Sequence, residues 1–229
     1  MKNFHVSLVC FEIFKKMDKV TKMWTGPLPV DSPYIKAKRL YYIQDGKEKN
    51  WDLLQVHDSV SIIIYNKSNK SLVFVKQFRP PVYYGIVSNC GDINNIDFEK
   101  FPPKLAITLE LCAGIVDKNK SFKEIAKEEV LEECGYEVPL DSLESVLKFR
   151  CNVGTSGAEQ EMFFCEVTEE QKVNKGGGID DEIIEVVEYS IPEAAALIQG
   201  SVINSPPSFL FGVLWFLNNK CTNNEYKNN

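Results

Sequence analysis

Five glutamates, Glu124, Glu128, Glu129, Glu132 and Glu133, stand within ten positions of the stretch FKEIAKEEVLEE at 122–133. Like charges three or four apart on a helix repel, so the run calls for solvation or for a counter-ion. At ~100° per residue, Phe122, Ile125 and Ala126 define an apolar face, and Glu129 and Glu133 fall within its arc. Glu132 lies at the edge, while Glu124, Lys127 and Glu128 point elsewhere. A carboxylate on a packed face loses hydration and must be paired or bound to metal. Two of them one turn apart make a hard oxygen site suited to magnesium, with manganese as the alternative, and the Ala113 carbonyl is a further candidate ligand. In ELCAG (110–114) the strand is expected to end at Gly114, where the missing side chain allows a tight turn and close backbone approach. Gly135 is the expected helix stop.

Metal ligands make poor bases, because a bound cation stabilises the ionised carboxylate. A separate acid is therefore expected from another loop. The stretch GGGIDDEIIEVV (176–187) offers Asp180, Asp181, Glu182 and Glu185 beside a Gly run suited to closing over substrate. Spacing alone leaves the choice among these four acids open.

These groups need a scaffold. Short apolar or alternating runs predict strands at 39–44, 51–56, 60–66, 71–78, 106–111, 145–151, 161–167 and 183–189, with the KSNK turn joining the third and fourth as a hairpin. A polar surface loop is expected over 85–104. Besides the acidic helix, one helix opens at Pro192 and another runs from about Ser208 to Asn218. The pattern reads as α+β, a mixed sheet between helices. The expected organisation is a variable N-terminal extension over 1–35, an N-terminal β region over 36–58, the main domain over 59–219 and a polar tail over 220–229.

Composition narrows the chemistry. With 26 Lys and Arg against 32 Asp and Glu, the net charge of -6 gives nonspecific nucleic-acid binding no electrostatic footprint. Seven scattered cysteines without a CxxC pair, and only His5 and His57 as co-ligands, argue against a disulfide framework or a zinc site and favour a reducing, cytoplasmic compartment. No stretch reaches the ~20 apolar residues that a membrane span needs, and Glu12 breaks the apolar run near the start, which also lacks a small-residue cleavage site.

The order of strand, glycine, loop and E-x-x-E-E-x-G helix resembles the Nudix box, G-x5-E-x7-R-E-U-x-E-E-x-G-U with U apolar. Gly114, Glu129, Val130, Glu132, Glu133, Gly135 and Tyr136 fill their places without a gap. Lys120 replaces the usual Glu and Glu128 the usual Arg, an exchange that preserves an ion pair if the two side chains meet. WDLLQVHDSV, VKQFRPPVYY, ELCAG, EECGY, GGG, EIIEVV and GVLWFL extend the likeness from about Trp51 to Phe216 and are similar to the UDP-sugar pyrophosphatases of the Nudix family. The resemblance implies a Nudix α/β/α sandwich and a magnesium-dependent hydrolase that splits UDP-glucose or a similar nucleoside diphosphate sugar into UMP and a sugar 1-phosphate. It also implies a homodimer in which the N-terminal β region contributes to the partner's site.

By the matched motif, Glu129 and Glu133 are metal ligands, with Ala113, and Glu132 ligates or supports them; Glu182, directly before the last strand, aligns best with the acid that the resembling enzymes carry in the corresponding loop near the attacking water, which makes it the candidate catalytic base. Arg79 is the expected diphosphate contact, since its planar fork suits phosphate oxygens; Lys76 is a second cation nearby. Glu110 matches a position near the substrate, although Cys112 stands where a Pro is common, and Trp51 stands where related enzymes stack an aromatic on the base. Within the family, an ADP-ribose or ADP-sugar pyrophosphatase is the alternative substrate class. Outside catalysis, the alternative is a noncatalytic Nudix-fold binding module, for which Lys120 and Glu128 speak.

Overall fold

The computed structural model describes residues 17–200 and 202–221. Most of the expected N-terminal extension's first twenty residues, and the polar tail past 221, lie outside the described residues. The described chain forms two sheets and four helices.

Strands β1 (Lys36–Gln44) and β2 (Lys47–Gln55) form an antiparallel hairpin that keeps one register along its whole length. Asp45 and Gly46 close it, both with positive φ (54° and 70°), the two-residue turn whose twist matches that of the flanking strands. Almost every residue of this hairpin is exposed.

The second sheet contains β3 (Ser59–Asn66), β4 (Ser71–Phe78), β5 (Ile107–Glu110), β6 (Cys112–Ile115), β7 (Glu144–Arg150), β8 (Glu159–Val167) and β9 (Ile184–Ser190). β3 and β4 pair only beside their turn, Ile64–Asn66 against Val73–Ser71. Beyond it they diverge, and β6 pairs with β3 while β5 pairs with β4. The single residue Leu111 carries the chain across that opening. β8 runs parallel to β3, and β7 and β9 are antiparallel to their neighbours, so the sheet is mixed.

Both faces of the sheet are covered, which is why β3 reads as the nearly continuous apolar run VSIII, with Ser61 as its polar member. Val60, Ile62, Ile64, Val73 and Val75 pack toward Ile125, Ala126 and Val130 of the acidic helix. The residues in between, Ile63, Leu72 and Phe74, pack on the other face with Ala194, Phe209, Val213 and Phe216. This period of two puts the acidic helix on one side and the two C-terminal helices on the other, an α/β/α sandwich.

The segment read as a polar surface loop is different. Its first three residues complete helix α1 (Pro80–Val87), which is started by Pro80 and Pro81, whose missing N–H groups cost nothing in a first turn. Tyr83, Val87 and Ala106 then form a satellite core with Phe78, Ile93, Ile96, Phe98 and Phe101. Those apolar residues are spaced irregularly, so neither helix nor strand period betrays them. The remaining helices are α2 (Phe122–Cys134), α3 (Ile191–Leu197) and α4 (Pro207–Asn219). None of the described helices is long and apolar enough to cross a membrane.

Candidate active site

Helix α2 begins at a capping box. The Ser121 side chain accepts from the Glu124 N–H and the Glu124 carboxylate accepts from the Ser121 N–H, which accounts for Glu124 locally. The helix stops at Gly135, in the left-handed conformation (φ 79°). A Cβ there would lie 2.3 Å from the Asn174 carbonyl oxygen, so close packing as well as φ requires glycine.

The Gly run folds onto this helix end. Gly177 donates its N–H to the Glu133 carbonyl (2.9 Å) and Gly178 to that of Glu132 (3.1 Å). A Cβ on Gly176 would lie 2.1 Å from the Glu133 carbonyl oxygen. The sequence suggested a loop suited to closing over substrate; the structure instead fixes it as a cap on orphan helix carbonyls, and this cap delivers Glu182 to the site. Glu182 accepts from the Ile179 N–H (3.1 Å).

Glu133 is buried, 4% exposed, and its Oε2 accepts from the Ala113 N–H at 3.0 Å. Glu129 lies along β6, where a Cβ on Gly114 would sit 1.9 Å from its Oε1. Gly114 thus lies within β6 and does not end a strand in a turn; its bare Cα makes room for the carboxylate. Burial, reinforced by Glu132 and Glu182, pushes Glu129 up to about 7. Burial pushes Glu133 up to about 8, against the lowering pull of the Ala113 N–H. Both values far exceed the ordinary 4.5: the fold brings negative groups together and gives them few donors.

Opposite stands Arg79, at the N-cap of α1. Its Nε and Nη2 grip both oxygens of the buried Glu110 at 2.7 and 2.6 Å, and Thr108 Oγ1 donates to the same carboxylate. The Glu110 bond holds the guanidinium charged, and 42% of the side chain remains exposed. A cavity of about 790 Å³ brings together Arg79, Glu110, Ala113, Glu129, Glu133 and Glu182.

Lys76, Glu132 and Trp51 do not line this cavity. Lys76 stands opposite Glu185 in the β4–β9 register. Glu132 acts on Glu129 through charge. Trp51 is exposed on the hairpin, its indole N–H donating to the Gly154 carbonyl at 2.7 Å. Lys120 and Glu128 do meet: the Lys120 ammonium contacts Glu128 Oε1, and Lys118 approaches the other oxygen at 3.4 Å. The exchanged charges therefore keep an ion pair.

Among the described residues, no three His, Cys, Asp or Glu side chains gather closely enough to hold a metal ion by themselves. Two desolvated carboxylates and a carbonyl are nevertheless the donors that magnesium accepts, because it keeps several waters and completes its shell with phosphate oxygens rather than an all-protein cage. The donor set of Glu129, Glu133 and Ala113 fits that ion. Sequence reasoning missed the part of the cavity where Ser61, Phe149, Gln160 and Phe211 lie; the first three meet only through the β3–β8–β7 register and Phe211 reaches Phe149 from α4, contacts that have no local signal.

The chain is 37% identical over 197 residues to the uridine diphosphate glucose pyrophosphatase NUDT14 of Bos taurus, covering 81% of this chain and 89% of that protein. It is 36% identical over 212 residues to the protein of the same name from Mus musculus, covering 87% and 95%. A GDP-mannose pyrophosphatase of Yersinia enterocolitica is 31% identical over 159 residues, covering 68% and 73%. No family model matches the chain.

Proposed function

Because this chain belongs to the Nudix sugar-nucleotide pyrophosphatases, we propose that it hydrolyses the diphosphate of UDP-sugars such as UDP-glucose to UMP and a sugar 1-phosphate. The observation that carries the reading is the convergence of Glu129, Glu133, Glu182, Arg79 and Ala113 on one cavity, in a chain 36–37% identical to two uridine diphosphate glucose pyrophosphatases.

In this reading Glu129, Glu133 and the Ala113 carbonyl hold magnesium, with Glu132 supporting them. When bound, the ion neutralises diphosphate charge and polarises the bond to phosphorus. Arg79, held by Glu110 along one edge, presents the remaining edge of its fork to a phosphate oxygen. Glu182 accepts the proton of the attacking water: it is the one acid of the group outside the buried pair, and the Ile179 N–H orients it. The Lys120–Glu128 contact favours this catalytic reading over a noncatalytic binding module.

The β1–β2 hairpin supports a homodimer. A lone two-stranded hairpin is marginal in water, and this one exposes Leu40, Tyr41, Ile43 and Trp51, which a second copy would cover. It forms the N-terminal β region of 36–58, ahead of the hydrolase domain of 59–219. In that arrangement Trp51 and Lys76 serve the substrate from the rim. Free thiols at every described cysteine favour a cytoplasmic setting.

The test is a panel of UDP-glucose, GDP-mannose and ADP-ribose with and without magnesium, read as phosphate released after phosphatase treatment. UDP-glucose should turn over fastest, only with the metal, giving UMP and glucose 1-phosphate. Faster ADP-ribose turnover would move the substrate class, and no turnover on any member would overturn the reading.

A further inference from the structure

One part of the cavity has a floor built by strand register. Ser59 stands opposite Gln160 across β3–β8, and Gln160 opposite Phe149 across β8–β7. Ser61 lies two residues along β3 from Ser59, so all four side chains share one face, that of α4. Phe211 of α4 closes the space above Phe149, their ring centroids 6.3 Å apart.

Two polar atoms on this floor have no protein partner. Ser61 is 1% exposed and its Oγ makes no hydrogen bond. Gln160 donates from Nε2 to Ser59 Oγ at 3.0 Å, which leaves its buried Oε1 without a donor. Buried polar atoms are costly when left unpaired, and these two line the cavity as diagonal neighbours across β3–β8. One offers an acceptor, the other a hydroxyl that both donates and accepts.

We propose that this lobe is the hexose subsite, with Gln160 and Ser61 hydrogen-bonding the sugar hydroxyls and Phe149 packing against its C–H face. The proposal rests on the reading of the protein as a sugar-nucleotide pyrophosphatase. Two features select the hexose over the base. Ser61 pairs with Ala113 across β3–β6, and the Ala113 N–H holds Glu133, so the lobe adjoins the acids; in UDP-glucose the hexose is bonded directly to a phosphate, whereas a ribose separates the base from its own. In addition, Phe149 and Phe211 cross at 60° and form no parallel slot for a planar base. A pyranose, thick and rimmed with hydroxyls, suits one apolar wall above a row of polar atoms.

The experiment is titration calorimetry of glucose 1-phosphate and of UMP, with magnesium, against the wild type, Gln160→Leu and Ser61→Ala, with thermal melting alongside. Gln160→Leu should weaken glucose 1-phosphate about tenfold and Ser61→Ala about threefold, in line with the loss of one hydrogen bond each, leaving UMP within twofold. Ser61→Ala carries the same selective signature should Gln160→Leu melt early. Selective loss of UMP, equal loss of both, loss of neither, or a wild type that does not bind glucose 1-phosphate would each overturn the proposal. Failure of the underlying reading is separate: it is a wild type that turns over no nucleoside diphosphate sugar, and the two titrations do not depend on turnover.

Discussion

Two carboxylate sites flank the C-terminal end of α2, Glu133 in its last turn and Glu188 against Tyr136 just beyond Gly135, and the fold treats them in opposite ways. Beside the β3–β4 turn, Glu188 accepts from Ser71 Oγ (2.5 Å), Asn69 Nδ2 (3.0 Å), Asn66 Nδ2 (3.2 Å) and the Tyr136 hydroxyl (3.2 Å). Burial pushes Glu188 up, but these donors outweigh it and hold the carboxyl below its ordinary value. In the cavity, Glu133 has one backbone N–H and acidic neighbours, and burial wins. Where a carboxylate serves the architecture, the sequence supplies its donors; where donors are withheld, the local rule is broken in favour of something that binds.

The sharpest way to break this contrast is to remove one charge from each site. Glu129→Gln and Glu133→Gln should each lower kcat by about 10³-fold at saturating magnesium, the scale of losing a group that stabilises transition-state charge. Each should leave melting unchanged or raise it, because mutual repulsion is relieved. Wild-type turnover in either variant removes the metal assignment. Glu182→Gln should lower kcat by roughly 10²-fold with KM little changed, the signature of lost general-base help. A loss below tenfold would shift the role to Asp181 or Asp180.

The two sites should also bend the stability curve in opposite directions. Glu129 and Glu133, raised to about 7 and about 8 from an ordinary 4.5, bind protons in the folded state that the unfolded chain has released. Their contribution is therefore unaffected below about pH 4.5 and is lost progressively as pH rises through 8. Glu188, held low, stabilises the fold above its ordinary value and fails as pH falls through its folded value. Metal-free melting should thus decline on both sides of mildly acidic pH. Magnesium, or Glu133→Gln, should flatten the neutral limb alone, and a limb unaffected by either would refute the assignment.

Glu188→Gln tests the architectural half. It keeps size and removes the charge that four donors converge on, so it should cost about 1–3 kcal/mol of stability in urea unfolding while kcat stays within twofold. A loss of activity that exceeds the loss of folded protein would mean that this network also serves catalysis.

Sequence periodicity exposed whatever depends on neighbours along the chain. The arc of Glu129 and Glu133, the stop at Gly135 and the KSNK hairpin all rest on local spacing. What escaped it depends on approach between distant segments. Gly114 reads as a turn residue until Glu129 is laid against it, and the Gly run reads as a lid until its N–H groups are found on the carbonyls of α2. β6 was hidden because four residues following β5 carry no period of their own. The pair of Ser61 and Gln160 lies about a hundred residues apart in sequence and meets only through a parallel register, which local pattern cannot specify.

Glu128 belongs to neither extreme. It sits on the same helix, half-buried, with Lys120 against one oxygen and Lys118 3.4 Å from the other, and it is held below its ordinary value by the Lys120 contact foremost. It is thus a carboxylate satisfied by cations, as Glu129 and Glu133 would be on binding metal, but with the cation supplied by the chain. Exposed ion pairs of this kind contribute little, about 0.2–1 kcal/mol, because both ends remain hydrated and the lysine loses rotamer freedom. The smallest of the expected effects is therefore the coupling in a cycle of Lys120→Glu, Glu128→Arg and the double change. Each single variant places like charges together at the entrance to α2 and should melt lower. The double variant restores an opposite pair with the signs exchanged and should recover most of that loss, with a coupling within the stated range that shrinks in high salt. Strict additivity would show that Lys118 alone satisfies Glu128 and that the exchange of acid and base along this helix is coincidental.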